Sequence, residues 1–323
     1  MAGEAKVLTV AAVQMVSENG NVEGNLEHAT AFVEEAAEKG ASLVVLPEFM
    51  PNGYIYDSGM MWDTAEREGG PTSTWMKETS SRLGIWLGAG FLEAEGEDFF
   101  LSFLVTAPDG GEAGRVRKQT PAFAEAFFIR GEPGPHIIQT DLGKIGVGIC
   151  YENHLSYMPR LMYSQGVDLM LMVHSSPSPM PNPLYPAKAV EKYDRDLKGL
   201  AGFYADMLGV PVISSNKCGE WRSPLPLLPF LAQESSFTGF TTIADSDGGI
   251  RAQLNKEEGV IVEGVTLDPD RKAVTPPAGR GRWSHKVPWQ MNQFRLFEAI
   301  GGLQYRLSGE RKRRARQISS SAA

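Results

Sequence analysis

The chain has 323 residues, of which 42% are hydrophobic and 22% charged, as is usual for a globular protein. Its formal net charge of −8 disfavours general nucleic-acid binding, because the phosphate backbone would be repelled. Two cysteines, Cys150 and Cys218, are too few for a disulfide framework, and the sequence has no CxxC or HExxH motif to indicate a metal site. The absence of a signal-peptide pattern and of an apolar run of about 18 residues predicts a cytoplasmic protein without a membrane partner.

The first half of the chain alternates strands with helices. Asn25 is expected to cap a first helix, which Gly40 ends, and a second helix is predicted between Pro71 and Gly84. Apolar runs and turn residues predict strands over residues 8–15, 43–46, 85–92, 99–107, 114–118, 136–140 and 145–149.

The second half continues this alternation and then changes character. A helix is predicted over residues 155–165, and apolar positions from Val190 to Leu208 predict a long amphipathic helix. A segment rich in Pro and Ser, residues 175–186, is expected to form an ordered loop or lid. Further strands are predicted over residues 167–173, 210–214, 236–244, 250–255 and 260–267.

The pattern as a whole predicts one domain over residues 1–275, followed by a C-terminal arm over residues 276–323 with a helix near residues 293–307. Strands that alternate with helices and hairpins favour an α/β fold with mixed sheets. Two such sheets, packed face to face with helices outside, would use this many elements. The basic run RKRRAR, residues 311–316, is interpreted as a solvated helix end or frayed tail, with a nucleic-acid or membrane contact as the alternative.

Cys150 is the first candidate for chemistry. The segment GKIGVGICYEN places it at the end of a strand of small residues, just before a helix-like segment. At such a turn a cysteine faces a cleft, and helix N-terminal amides favour its thiolate. The alternative is a buried structural cysteine, which is the commonest fate of a lone Cys.

Glu48 and Lys118 also stand at predicted strand ends. Each taken alone is an ordinary residue, a loop carboxylate or a solvated lysine. Together with Cys150 they meet a chemical need, because a thiol of pKa about 8.5 is mostly protonated at neutral pH. A carboxylate takes the thiol proton as general base, and an ammonium stabilises the anion that attack creates. The set suits an amide or a nitrile and requires neither metal nor cofactor.

Three motifs carry a resemblance to a known family. They are LPEFMPNGY around Glu48, GRVRKQTP around Lys118 and GVGICYEN around Cys150, in that order along the chain. With AAVQM near the start, they make the sequence similar to the nitrilase superfamily of carbon–nitrogen hydrolases. The resemblance spans residues 8–267.

The resemblance implies roles for the residues that match the motifs. Glu48 would be the general base, Lys118 would stabilise the tetrahedral intermediate, and Cys150 would form the thioester or thioimidate. The backbone N–H of Tyr151 would complete an oxyanion hole. Glu125 matches a second family glutamate, which positions the substrate and the other catalytic groups.

The resemblance also implies a fold, an assembly and a pocket residue. The family fold is a four-layer α-β-β-α sandwich, and its subunits pair as homodimers or larger homo-oligomers. The arm after Pro276 is therefore expected to take part in subunit contacts. Tyr54 matches an aromatic residue that lines the pocket beside the base, although plain core packing is its alternative.

The sequence combines features of two branches of the nitrilase superfamily, the true nitrilases and the amidases. ENHLSYMPRLMYSQGVD after the nucleophile, and KQTPAFAE ending at Glu125, resemble true nitrilases. However, Tyr151 stands where that branch has Trp, and NKCGEW, residues 216–221, resembles amidases. We therefore favour an amidase that releases ammonia or an amine, with a nitrilase as the alternative. A soluble acyltransferase and a non-catalytic interaction protein are the remaining hypotheses.

Two further features are candidates for substrate contact. His174 follows the strand after Cys150, and its alternative role is structural. The segment WRSPLPLLPF, residues 221–230, is predicted to be an apolar, proline-rich loop. It would line the pocket and favour an apolar or aromatic acyl group, or else form a subunit contact or an ordinary surface loop.

Overall fold

The computed structural model describes residues 4–183, 185–278 and 281–321. Its α-helices are α1 Val22–Glu38, α2 Ser58–Asp63, α3 Pro71–Leu83, α4 Tyr157–Gln165, α5 Ala187–Lys198, α6 Leu200–Leu208, α7 Phe294–Leu307 and α8 Gly309–Ser319. Its strands are β1 Lys6–Gln14, β2 Leu43–Val45, β3 Trp86–Glu95, β4 Asp98–Thr106, β5 Glu112–Arg117, β6 Ile137–Thr140, β7 Gly143–Ile149, β8 Leu169–Val173, β9 Val212–Ser215, β10 Glu220–Leu225, β11 Leu228–Ser236, β12 Thr242–Ala244, β13 Ile250–Gln253 and β14 Gly259–Leu267.

Twelve of these strands form two six-stranded mixed sheets. The first sheet has the order β14-β1-β2-β3-β4-β5, and the second has the order β13-β12-β9-β8-β7-β6. In each sheet three neighbouring strands are parallel, β1-β2-β3 in the first and β7-β8-β9 in the second. The remaining pairs are antiparallel.

Three apolar clusters define four layers. The central cluster joins residues of both sheets, for example Val10 and Leu43 of the first with Leu171 and Ile213 of the second. A second cluster packs α1 and α3 on the outer face of the first sheet. A third packs α4, α5 and α6 on the outer face of the second sheet. The single-domain α-β-β-α sandwich expected from the sequence is therefore confirmed.

The first helix begins earlier than predicted. Asn21 is its N-cap, and the Asn21 side chain accepts a hydrogen bond from the Gly24 N–H at 3.0 Å. Asn25 lies inside the helix, so the predicted cap is wrong. Its buried amide instead donates to the Pro51 carbonyl at 2.8 Å and thereby ties the helix to the loop after β2.

The region between residues 187 and 244 differs most from the secondary structure predicted for it. The predicted long helix divides at Gly199 into α5 and α6. The predicted strand over residues 236–244 is wrong, because Gly239 and Phe240 adopt positive φ and separate β11 from β12. The predicted proline-rich loop is wrong too, since β10 and β11 form a separate two-stranded hairpin whose register shifts at Pro224. Exposed hairpin edges tolerate proline, which cannot donate to a ladder.

The C-terminal arm folds back onto the sandwich and ends in two helices. The basic run lies in α8, which the sequence pattern did not predict, and Arg311 is buried there. Its guanidinium hydrogen-bonds the Glu97 carbonyl and the Asp98 carboxylate. The frayed-tail interpretation is therefore wrong for this run. None of the helices in the three described ranges is both long and apolar enough to cross a bilayer.

Candidate active site

The three residues singled out by their motifs converge from both sheets. Glu48 follows β2 and Lys118 follows β5 in the first sheet, whereas Cys150 follows β7 in the second. Glu125 comes from a short 3-10 helix, Phe123–Phe127, in the loop after Lys118. All four are buried. Facing sheets bring strand ends together across the central layer, so residues far apart in the chain share one site.

An ion cluster forms the centre of the site. The Lys118 Nζ lies 2.7 Å from the Glu48 Oε1 and 2.7 Å from the Glu125 Oε2. The Glu125 carboxylate also accepts hydrogen bonds from the Ala122 N–H at 2.7 Å and from the Tyr54 hydroxyl at 3.0 Å. Buried charges are costly unless they are paired and hydrogen-bonded, and each member of this cluster meets that condition.

Backbone contacts fix the Glu48 carboxylate. The Ser175 N–H donates to the Glu48 Oε2 at 2.8 Å, and the Ser175 hydroxyl donates to the Glu48 carbonyl. Gly90 on β3 makes room for this turn, because a Cβ there would lie 3.0 Å from the Glu48 Cα. Phe49 has a positive φ of 47°, and its carbonyl accepts a hydrogen bond from the buried Lys217 Nζ at 2.8 Å.

Cys150 sits at a strained turn. Its φ is +54°, which is rare for a residue with a side chain, and it opens a short 3-10 helix, Cys150–His154. The Sγ lies 3.4 Å from the Ser176 hydroxyl oxygen. Strain of this kind persists where the surrounding structure imposes it, often at functional sites. Cys150 lines a cavity and at the same time packs at the edge of the central apolar cluster.

Burial sets the protonation of these groups. It raises the pKa of the Glu48 carboxyl to about 7, although the Lys118 ammonium opposes the shift. Burial, with the Glu48 charge beside it, also raises the pKa of the Cys150 thiol. Burial alone would lower the pKa of Lys118, but Glu125 and Glu48 together outweigh it and hold the ammonium charged.

The resting site therefore holds a neutral thiol beside a charged lysine and a carboxyl whose pKa is near neutrality. This differs from the expectation that helix amides favour a Cys150 thiolate. The five-residue 3-10 helix offers too little compensation for a thiolate that is desolvated and adjoins two carboxylates.

Glu152 is a site residue that the sequence analysis missed. Its Oε1 accepts the backbone N–H groups of Gln119 at 2.7 Å and Thr120 at 3.0 Å, and the Tyr157 hydroxyl at 2.8 Å. Its Oε2 accepts the Ile149 N–H at 3.2 Å. One buried carboxylate thus joins the loop that carries the lysine to the strand that carries the nucleophile. Its position two residues after the cysteine was the available signal.

A cavity of about 410 Å³ opens at Cys150. Tyr54 and Tyr151, both expected at the pocket, line it. His174 does not: it is buried beside Asn153, with 3.5 Å between its Nε2 and the amide nitrogen, and burial lowers its pKa to about 3. The structure therefore does not bring His174 to the position expected for substrate contact. The β10–β11 hairpin adds Trp221, Leu225 and Gln233 to the wall.

A family model described as carbon-nitrogen hydrolase matches residues 9–271. The chain belongs to the carbon–nitrogen hydrolase family. The match covers most of the chain and confirms the resemblance to the nitrilase superfamily. The protein is accordingly an enzyme of the class that hydrolyses carbon–nitrogen bonds.

Named relatives of this carbon–nitrogen hydrolase fall in both branches. N-carbamoylputrescine amidase from Solanum tuberosum is 27% identical, with 83% of this chain and 89% of the relative covered. A nitrilase from Pyrococcus abyssi is 28% identical, but only 54% of this chain and 70% of the relative are covered. The amidase match is therefore the more extensive of these two.

Solved structures share the fold of this carbon–nitrogen hydrolase. A carbon–nitrogen hydrolase from Helicobacter pylori superposes with a TM-score of 0.71 at 19% identity, covering 82% of this chain and 91% of that one. An amidase from Nesterenkonia sp. gives a TM-score of 0.63 at 18% identity, with 81% and 92% covered. Identities this low support the architecture alone.

Proposed function

We propose that this carbon–nitrogen hydrolase is an amidase that converts a small amide to a carboxylic acid and ammonia or an amine. The observation that carries the proposal is the Lys118 ammonium, bridged between Glu48 and Glu125 at 2.7 Å each, in the same buried site as Cys150. The greater extent of the match to an amidase supports this branch over a nitrilase.

In the first half of the proposed reaction, the Cys150 Sγ attacks the amide carbonyl carbon. The thiol proton passes to the Glu48 carboxylate, whose pKa near 7 suits a base that works at neutral pH. The carbonyl oxygen becomes an oxyanion, which the Lys118 ammonium and the Tyr151 backbone N–H stabilise. The proton then moves from Glu48 to the leaving nitrogen as the C–N bond breaks.

In the second half, water hydrolyses the Cys150 thioester. Glu48, again a carboxylate, removes a proton from the attacking water, and the acid leaves as the thiol recovers its proton. Glu125 does not exchange protons in this scheme. It holds the Lys118 ammonium, and the Tyr54 hydroxyl and Ala122 N–H fix its carboxylate in turn.

The decisive experiment uses pairs of amides and nitriles that share one acyl group, with ammonia release as the readout. We expect turnover of the amides, its loss in Cys150→Ala, and a mass increase equal to the acyl group on trapped wild-type enzyme. Lys118→Ala should lower kcat by about 100-fold or more, since it removes an oxyanion partner. Cys218→Ala is the matched control, because Cys218 is free and does not line the cavity. Ammonia from nitriles alone would assign the nitrilase branch instead.

We further propose that the C-terminal arm, residues 276–323, takes part in subunit contacts of a homodimer or larger homo-oligomer. Support comes from α7, where the side chains of Leu296, Leu303 and Leu307 are exposed. Apolar side chains at this spacing share a helix face, and an exposed apolar face favours association.

A further inference from the structure

The wall of the cavity is uncharged. Among the described residues that line it, none is Asp, Glu, Lys or Arg. The one histidine in the wall, His154, is held neutral because burial lowers its pKa well below its ordinary value. A substrate group that extends from Cys150 therefore meets rings, hydroxyls, amides and aliphatic carbon.

Charged groups adjoin this wall, but they are already engaged. The Asp194 carboxylate accepts a hydrogen bond from the Ser178 hydroxyl at 2.8 Å. Arg282 lies 2.8 Å from Glu298 and donates to the Tyr151 hydroxyl at 3.2 Å. Arg282 would have to leave Glu298 to pair with an anionic substrate, and Asp194 lies behind Ser178 and does not line the cavity.

One side of the cavity is an aromatic wall, formed by Tyr54, Tyr56, Phe123, Trp221 and Phe294. The rings of Tyr54 and Trp221 stack at 6.4 Å, and Tyr56 meets Trp221 edge-on at 5.1 Å. Phe123 lies 5.7 Å from Tyr56 and 5.3 Å from Phe294. The Trp221 indole N–H donates to the Tyr54 carbonyl at 2.9 Å, so its polar edge is satisfied and its ring is available for packing.

We propose that the enzyme selects an uncharged amide whose acyl group is apolar, and preferably aromatic. The inference rests on the proposed function and names its substrate class. An aromatic acyl group would gain burial and ring packing against the aromatic wall. An acyl group that carries a carboxylate or an ammonium would lose its hydration without finding an opposite charge.

The test is a panel of primary amides of similar length: phenylpropanamide, the monoamide of glutaric acid, and aminopentanamide. These are neutral, anionic and cationic at neutral pH. We expect kcat/KM for phenylpropanamide to exceed both others by about 100-fold or more, as polar mismatch in a desolvated site does elsewhere. Equal or better turnover of either charged amide would overturn the proposal.

Gln293, which lines the cavity, offers a nearly isosteric charge change. Gln293→Glu should raise the ratio of kcat/KM for aminopentanamide to that for the anionic amide by about tenfold, because a carboxylate now faces the ligand. Gln317→Glu is the matched control, since Gln317 is exposed on α8 and does not line the cavity. An unchanged ratio in Gln293→Glu would show that the acyl group does not extend along the part of the cavity wall that includes Gln293, next to Phe294. That result would also overturn the proposal.

The corresponding nitriles separate this inference from the proposed function. If only nitriles release ammonia, the amidase assignment fails, and the order among the three nitriles still tests the acyl group. If nothing is hydrolysed, calorimetry on Cys150→Ala compares binding of the same three amides. Tighter binding of phenylpropanamide supports the selectivity, and its absence overturns it.

Discussion

At the scale of single residues, the site is a balance between burial and charge. Lys118, Glu48 and Glu125 are fully buried; the ammonium lowers the cost of burying each carboxylate, whereas the two carboxylates disfavour each other. Their net effect leaves a proton on Cys150 and a base of near-neutral pKa beside it. In the proposed mechanism the thiol proton passes to Glu48 as the sulfur attacks, and this arrangement places the proton and its acceptor side by side.

The pKa of Glu48 predicts the acid side of the pH profile. The base acts as a carboxylate, so kcat/KM should fall about tenfold per pH unit as the pH drops below about 7. Amide turnover measured across neutral and acidic pH tests this. An acid limb near 4.5, the ordinary carboxyl value, would show that burial does not raise the pKa of Glu48. Glu48→Gln should lose both the limb and most of the activity.

At the scale of elements, short connections after the strands carry the chemistry. Glu48, Lys118 and Cys150 each come within three residues of the end of a strand. Strand ends are rigid, whereas the segments that follow are free to adopt positive φ, as Phe49, Phe123 and Cys150 do. The fold thus supplies fixed anchor points, and the loops supply unusual backbone geometry.

The contacts of Glu152 predict how the segment that carries Lys118 is coupled to the strand that carries Cys150. In Glu152→Gln an amide N–H₂ must face one of the backbone N–H groups that the carboxylate now accepts, so the lysine loop and the nucleophile strand lose a shared anchor. We expect a loss of about 1–3 kcal/mol in the free energy of unfolding. We also expect kcat to fall more than KM rises, because the reacting groups rather than the cavity wall are displaced. Denaturant unfolding and steady-state kinetics measure the two effects.

The matched control for that variant is Glu132→Gln. Glu132 is a carboxylate in the same loop that pairs with Arg117, and its side chain is 44% exposed. Its replacement should leave both measurements nearly unchanged, because the Glu132 carboxylate is partly exposed and Arg117 keeps Glu93 as an ion-pair partner. If the two variants behaved alike, Glu152 would have no role in positioning the lysine loop against the nucleophile strand.

At the scale of the whole molecule, two similar half-sandwiches face each other, and the arm packs against them. The buried Arg311 and the Tyr305 hydroxyl, which accepts the Phe99 N–H at 2.8 Å, attach the arm to its own chain. Leu296, Leu303 and Leu307 of α7 remain exposed in the single chain.

The proposed subunit contact predicts a change in mass. Leu303→Glu with Leu307→Glu should lower the mass measured by light scattering after gel filtration, because burying two unpaired carboxylates opposes association. Val274→Glu is the control, since Val274 is 89% exposed and lies before α7. A wild-type protein that is monomeric at micromolar concentration would rule out the proposed contact.

Much of the strand and helix order was predictable from the sequence, because it depends on short-range patterns of apolar and turn residues. Apolar runs located the sheet strands to within a few residues in most cases, and glycines marked the ends of α1 and α3. The misses have two causes. Gly199 and the Gly239–Phe240 break interrupt segments whose apolar pattern continues on both sides. The prolines of β10 and β11 made that hairpin resemble a loop.

The sequence by itself determined the family, the fold class and which residues to examine, since the three motifs and their order can be recognised without knowing any contact. Tertiary structure decided the rest: the double ion pair of Lys118, the neutral Cys150 thiol, the part played by Glu152 and the uncharged wall. The physical reason is that desolvation and charge pairing depend on distances between residues some 70 positions apart, as in the Lys118–Glu48 pair. Local patterns set which segments become strands, but only packing sets what surrounds a buried charge.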